Sequence, residues 1–378
     1  MKSTLKQIFT RNLLNIPGWH TNRKIVVIES DDWGSIRMPS KEVYNQLLKE
    51  GYKPDTDPYL KYDSLASEED LMALFDVLSS VKDKHGNPAV ITANCVVANP
   101  DFKRIKNSGF RDYHYELFTE TLKSYSNHQN SLNLWKQGMA ANIFHPQFHG
   151  REHLNVDQWM KGLQEGDKLL HKAFENEMIS ISSIPSKMRF GYMEALDFYD
   201  LNEKQNKEPI IKDGLHLFEQ IFGFKSSTFI ANCYIWHNDF EKTLFENGVH
   251  FIQGIPVQLQ PQLTQNSHLL KRTYHFAGQK NKFGQSYLVR NAHFEPTQFP
   301  DGDIVNECLS RIEIAFKWYK PAIISSHRLN FIGTIDAENA SRNLKLFQSL
   351  LNQIVKTWPD VEFMTSSQLG QIINKQLP

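Results

Sequence analysis

Short apolar runs rich in β-branched residues alternate with longer amphipathic stretches along the chain. The runs at 24–30, 89–97, 139–145, 178–184, 227–233, 249–253, 285–292, 321–326 and 360–365 predict strands. Continuous apolar segments of this kind, bounded by turn residues, suit strands buried on both faces. Between them, 40–50, 68–82, 112–124, 155–173, 213–221, 239–247, 302–319 and 336–357 predict helices. In the second of these Leu71, Leu74, Phe75 and Leu78 recur at helical spacing, and in the last Leu344, Leu346, Phe347, Leu350, Leu351 and Ile354 are read onto one face. Such alternation predicts an α/β fold with a mostly parallel sheet, either doubly wound or closed into a barrel. The polar stretches 51–68, 200–213 and 256–282 read as loop insertions in a single catalytic domain spanning 1–378, with 1–23 as an N-terminal extension.

Bulk composition narrows the partners. Lys plus Arg and Asp plus Glu both number 42, so nucleic acid and anionic membrane are not expected. Cys95, Cys233 and Cys308 are widely spaced and suggest neither a zinc knuckle nor a disulfide framework, consistent with a reducing compartment. Nothing in the sequence reads as a membrane span or signal peptide. The expected location is the cytoplasm, and no oligomeric state is specified. Neither a Rossmann nor a P-loop glycine pattern follows any strand, which argues against dinucleotide and triphosphate chemistry.

Two stretches carry candidate chemistry. The first strand ends in Asp31 and Asp32, followed by Trp33 and Gly34; the C-terminal tips of strands are where α/β folds place catalytic groups. The second stretch, residues 140–153, holds His145, His149 and His153 at intervals of four. A catalytic zinc site takes three protein ligands and keeps one open position. One metal reading pairs His149 and His153 with Glu152 as H-x-x-E-H, a helical protease pattern, although Gly150 and Pro146 disfavour a helix there. The other joins His145 and His149 to Asp32 and leaves His153 facing substrate.

The order D-D, H-x-x-x-H and a late strand-end His resembles the polysaccharide deacetylases, the nodulation-type carbohydrate esterases, over roughly residues 24–370. The resemblance implies a distorted (β/α)7-type barrel and a divalent metal, zinc, with an acetylated carbohydrate as substrate. It further implies Asp31 as catalytic base, with Asp32, His145 and His149 as metal ligands and His327, at the end of Ile323–Ser326, as general acid. Trp33, Tyr234 and Trp236 are the candidate sugar-facing rings, and Arg151, His153 and His293 the candidate polar contacts. The chain departs from the family pattern in three places. Trp33 and Gly34 follow the aspartates where the family has Gly directly. Pro146 replaces the Ser/Thr of the metal motif, and the Arg expected near 229–234 to orient the catalytic Asp is missing, which leaves Arg151 and Arg290 to supply its charge. Related barrels cleave other C–N bonds or glycosidic bonds, and a non-catalytic carbohydrate-binding relative is a further alternative.

Overall fold

The computed structural model describes residues 5–181, 191–264 and 268–376. The first strands in chain order are β1 (Ile25–Trp33), β2 (Ile91–Val96), β3 (Ala98–Pro100), β4 (Tyr115–Leu117), β5 (Phe144–Gly150), β6 (Thr228–Ile230) and β7 (Phe251–Gly254). They continue with β8 (Val257–Leu263), β9 (His268–Tyr274), β10 (Ser286–Val289), β11 (Ala292–His293), β12 (Ala322–His327) and β13 (Glu362–Met364). One sheet runs β10-β7-β6-β5-β2-β1-β12-β11, with β13 also on β1. Every pairing in it is parallel.

Its two end strands, β10 and β11, are consecutive in the chain. The Arg290 amide donates to the Gly254 carbonyl at the end of β7 (2.8 Å), and the next amide, Asn291, donates to Ile323 on β12 (3.1 Å). One stretch of backbone therefore spans both ends of the sheet, which curls into a distorted (β/α) barrel. This is the α/β architecture expected from the alternating pattern.

Alternation along β1 shows how the interior is layered. Val26 and Ile28 join the large core beneath the surrounding helices. Ile25 and Val27 instead join an inner cluster with Phe251, Leu288, Ile323, Leu369 and Ile373. The helix Ser366–Gln376 supplies the last two and packs so closely that a Cβ on Gly370 would lie 2.5 Å from the Phe251 ring. Glu29 and Asp31 follow on the same face, so the interior changes from apolar to polar toward the strand C-termini, and the site lies at that polar end.

Several expectations are corrected. The run 139–145 is not a strand: the helix Ser131–Ala140 covers its start and β5 begins only at Phe144. The inward positions of β5 are His145, Gln147 and His149, so this strand lacks the apolar signature. The stretch 200–213 opens the helix Leu201–Phe222, whose N-cap Asp200 accepts from the Glu203 amide and which accommodates Pro209. Its polar first half is a largely solvated helix, not a loop. The region 155–173 divides into Val156–Gln164 and Lys168–Glu175 across Gly166 (φ 77°). Residues 256–282 contain the antiparallel β8–β9 hairpin, and 51–68 the short helix Pro58–Tyr62, capped by Asp57. No strand forms at 178–181, and 182–184 lie outside the described residues. Among the described residues no helix is long and apolar enough to cross a membrane.

Candidate metal centre and active site

Neighbouring side chains of a regular strand point to opposite faces, yet Asp31 and Asp32 line the same cleft. The β1–β2 register shifts between Ser30 and Trp33, and Asp32 adopts φ 72°. This bulge swings Asp32 round beside its neighbour. A left-handed conformation at a non-glycine residue costs on the order of 1–3 kcal/mol and persists where surrounding contacts enforce it.

Asp32 Oδ1 lies 3.3 Å from His149 Nε2 and 3.1 Å from His153 Nε2. One donor atom from each of the three residues lies within 4.8 Å of the others, and all three residues are buried. Asp32 Oδ2 accepts from Arg37 (3.1 Å), leaving Oδ1 to face both imidazoles. His149 donates from Nδ1 to the Ile230 carbonyl (2.9 Å), which fixes the tautomer whose Nε2 lone pair points into the cluster. Burial opposes ionisation of Asp32, but the nearby His153 and Arg37 hold it well below the usual carboxylate range. Burial also drives His153 down to about 4 against the pull of Asp32, so the ring is neutral as a ligand must be. His153 Nδ1 is buried without a hydrogen-bond partner. One carboxylate and two imidazoles form a donor set that fits a divalent cation such as zinc.

His145 lies apart from this cluster. Residues four apart on a strand are separated by about 13 Å, too far to share one ion, and both His145 and His149 belong to β5. The His145 ring stacks on Phe224 and its Nε2 contacts Gln147 Nε2 (3.1 Å). His153 takes its place because the strand ends at Gly150, whose φ of 126° turns the chain back. The structure thus joins the His149–His153 pair of the protease-type reading to the Asp32 of the other, on a strand-end loop. Glu152, the base in the protease pattern, instead accepts from Arg151 (2.7 Å) and Tyr113 (3.0 Å).

Beside this cluster, Arg290 grips Asp31 end-on. Its two terminal nitrogens donate to Asp31 Oδ2 and Oδ1, each at 2.7 Å, and Asn94 donates to Oδ1 (2.8 Å). Burial pushes the Asp31 carboxyl up, yet Arg290 and flanking imidazoles bring it down to about 2. The arginine on this carboxylate comes from the β10–β11 junction and not from 229–234. His327 Nε2 stands 3.9 Å from Asp31 Oδ2 while its Nδ1 donates to Glu295 Oε1 (2.7 Å). Burial works against the imidazolium, but Glu295 and the two aspartates lift His327 to about 9, so it is protonated at neutral pH.

These groups open into a cleft of about 490 Å³. Tyr234 lines it and accepts from Arg290 (3.2 Å); Arg37, Tyr59 and Gln298 also contribute. Four candidate substrate contacts lie elsewhere. Trp33 is a core residue, edge-on to Phe144 and Trp135. Trp236 is buried against His275 and donates to Glu241 (3.2 Å). Arg151 is occupied by Glu152 and Asp213, and His293 sits against Phe299 beside Arg311, Glu307 and Arg11. Sequence reasoning did not single out Arg37, Tyr59 or Asn94. Arg290 is one of the two arginines expected to supply the missing charge, and Glu295, in the same strand-end segment as His293, reaches His327.

No protein-family model matches the chain, and no curated protein matches it. Solved structures do align with it. A putative polysaccharide deacetylase from Mycobacterium smegmatis does so at TM-score 0.46 and 9% identity, covering 95% of this chain and 93% of its own. The Puue allantoinase aligns at 0.47 and 9%, covering 95% and 93%. The 4-alpha-glucanotransferase from Thermococcus litoralis aligns at 0.45 and 8%, covering 94% of this chain and 40% of that one. Likeness at this level leaves the chemistry to the side chains.

Proposed function

We propose that the protein is a metal-dependent hydrolase that removes an N- or O-acetyl group from a carbohydrate. The observation that carries this reading is the adjacency of two sets of groups in one cleft: Asp32, His149 and His153, and the Asp31–His327 pair. Asp32, His149 and His153 would hold a divalent cation, which supplies Lewis acidity toward an acyl carbonyl and water when bound. Asp31, outside that donor set and held rigid by Arg290, takes the proton of the attacking water. Protonated His327 then gives its Nε2 proton to the departing amine or alkoxide, and Glu295 stabilises the charged ring meanwhile. Arg37 fixes the second oxygen of Asp32, so that carboxylate keeps one orientation.

Glycosidic hydrolysis by two free, opposed carboxylates has less support, since Asp31 is clamped by Arg290 and Glu295 is committed to His327. A non-catalytic relative likewise has less support, since Arg290 clamps Asp31 in the cleft.

Zinc content of the purified protein, measured beside acetate release from N-acetylated chitooligosaccharides and acetylated xylan, tests the proposal. Stoichiometric zinc with acetate released from one substrate is expected. Stoichiometric zinc with no acetate from either overturns the substrate class, and failure to retain zinc after supplementation overturns the metal centre.

A further inference from the structure

We propose that Glu29 is a positioning residue that sets the guanidinium of Arg290 square on Asp31. The kinetic part of this inference rests on the function proposed above; the geometry does not.

Glu29 lies two residues before Asp31 on the same inward face of β1 and is fully buried. Its Oε2 accepts from Arg290 Nε at 2.6 Å, and its Oε1 accepts from the Ser366 hydroxyl at 2.7 Å. Ser366 also reaches Thr92 Oγ1 (3.2 Å), and its amide donates to that same oxygen (2.9 Å). Glu29 is therefore anchored through Oε1 by a Ser366 that Thr92 holds in place, leaving Oε2 for the arginine.

A guanidinium offers a carboxylate two bidentate edges, one made by the terminal nitrogens and one that includes Nε. With Nε bound to Glu29, only the terminal edge faces Asp31, and Tyr234 and Ser325 (3.1 Å) brace one of its nitrogens. Without Glu29 the buried Nε–H has no acceptor. The fork then gains by rolling until its Nε edge takes a carboxylate oxygen of Asp31, which turns that carboxylate away from His327. Arg290 is itself buried, so water is poorly placed to substitute. The inward alternation of β1 thus puts an acidic anchor two positions below the proposed base, and the arginine from the far end of the sheet is gripped by both.

The test compares wild type, Glu29→Ala and Glu29→Gln by two readouts. The first is the Nε–H resonance of Arg290 in ¹⁵N NMR spectra, which needs no turnover. It is expected to be protected and shifted in wild type, lost or moved in Glu29→Ala, and retained in Glu29→Gln, whose amide oxygen still accepts. The second is acetate release from N-acetylated chitooligosaccharide. Glu29→Ala should lower kcat at least 10-fold with KM within about 2-fold and zinc content unchanged, and Glu29→Gln should recover most of that loss. An unmoved Arg290 resonance in Glu29→Ala, or equal falls in kcat for both variants, overturns the positioning role. Should Glu29→Ala not fold, a Glu29→Gln resonance at the free-arginine position overturns it equally. Wild type that releases no acetate defeats the deacetylase reading alone, and the NMR comparison then decides the role of Glu29.

Discussion

His327 donates from Nδ1 to Glu295 Oε1 at 2.7 Å and so presents Nε2 toward Asp31. That contact makes the imidazole a cation at neutral pH despite its burial. In the proposed role of acid His327 must be protonated, so activity is expected below its pKa and lost as pH rises through about 9. Glu295→Gln keeps a hydrogen-bond acceptor but removes the charge. The alkaline limb of the kcat/KM profile is then expected to move down by about 1–2 units, the usual effect of losing one close opposite charge. A limb unmoved in that variant would remove His327 from the role of acid.

The two candidate ligand sets separate cleanly by mutation. His153→Ala should abolish stoichiometric zinc binding, because it removes one of three donors from a buried cluster. His145→Ala should retain zinc, since that ring stacks on Phe224. Metal analysis of both proteins after dialysis checks this; zinc lost from the His145 variant and kept in the His153 variant would reverse the assignment.

Gly150 sits between the two histidines with φ 126°. A Cβ there would lie 3.0 Å from the Glu152 carbonyl and 3.1 Å from Asn232 Oδ1. Gly150→Ala is expected to cost about 1–3 kcal/mol through backbone strain and to weaken zinc affinity ~10-fold or more as the loop shifts. Zinc titration with a competing chelator, together with denaturant unfolding, measures both effects.

His293, which does not line the cleft, is expected to contribute to acid sensitivity. Burial, with Arg311 and Arg11 close by, lowers it from 6.5 to about 4, although Glu307 pulls the other way. The unfolded state therefore takes up this proton before the folded state does. Stability from the neutral ring is present above pH 6.5 and is lost as pH falls toward 4. The full shift corresponds to about 3 kcal/mol, reduced by partial exposure to about 1–2 kcal/mol. Urea unfolding of wild type and His293→Leu at pH 7 and pH 4.5 should show the variant gaining on wild type at the lower pH by that amount. A constant gap would refute it.

The legibility of this molecule in its sequence follows how apolar each strand is. β1 and β12 open on apolar runs, Ile25–Ile28 and Ala322–Ile324, so their ends, and with them Asp31, Asp32 and His327, are placed at strand tips by the sequence alone. β5 faces inward with His145, Gln147 and His149, so hydropathy assigned the strand too early and moved the histidine pair four residues upstream. Trp33 and Trp236 looked like sugar platforms because aromatic type carries no information on which side of a sheet a ring points. Arg290 is 259 residues from Asp31, and only topology brings such a pair together.

The seam at Arg290–Asn291 has a bearing on when the molecule becomes competent. Asp32, His149 and His153 come from adjoining regions of the first half of the chain, whereas the clamp on Asp31 arrives with the backbone that joins β7 to β12. Barrel closure and alignment of the proposed base are therefore one event. On the proposed function, a chain whose seam has opened would still bind a cation but lose turnover, so activity would double as a check on the completeness of the fold.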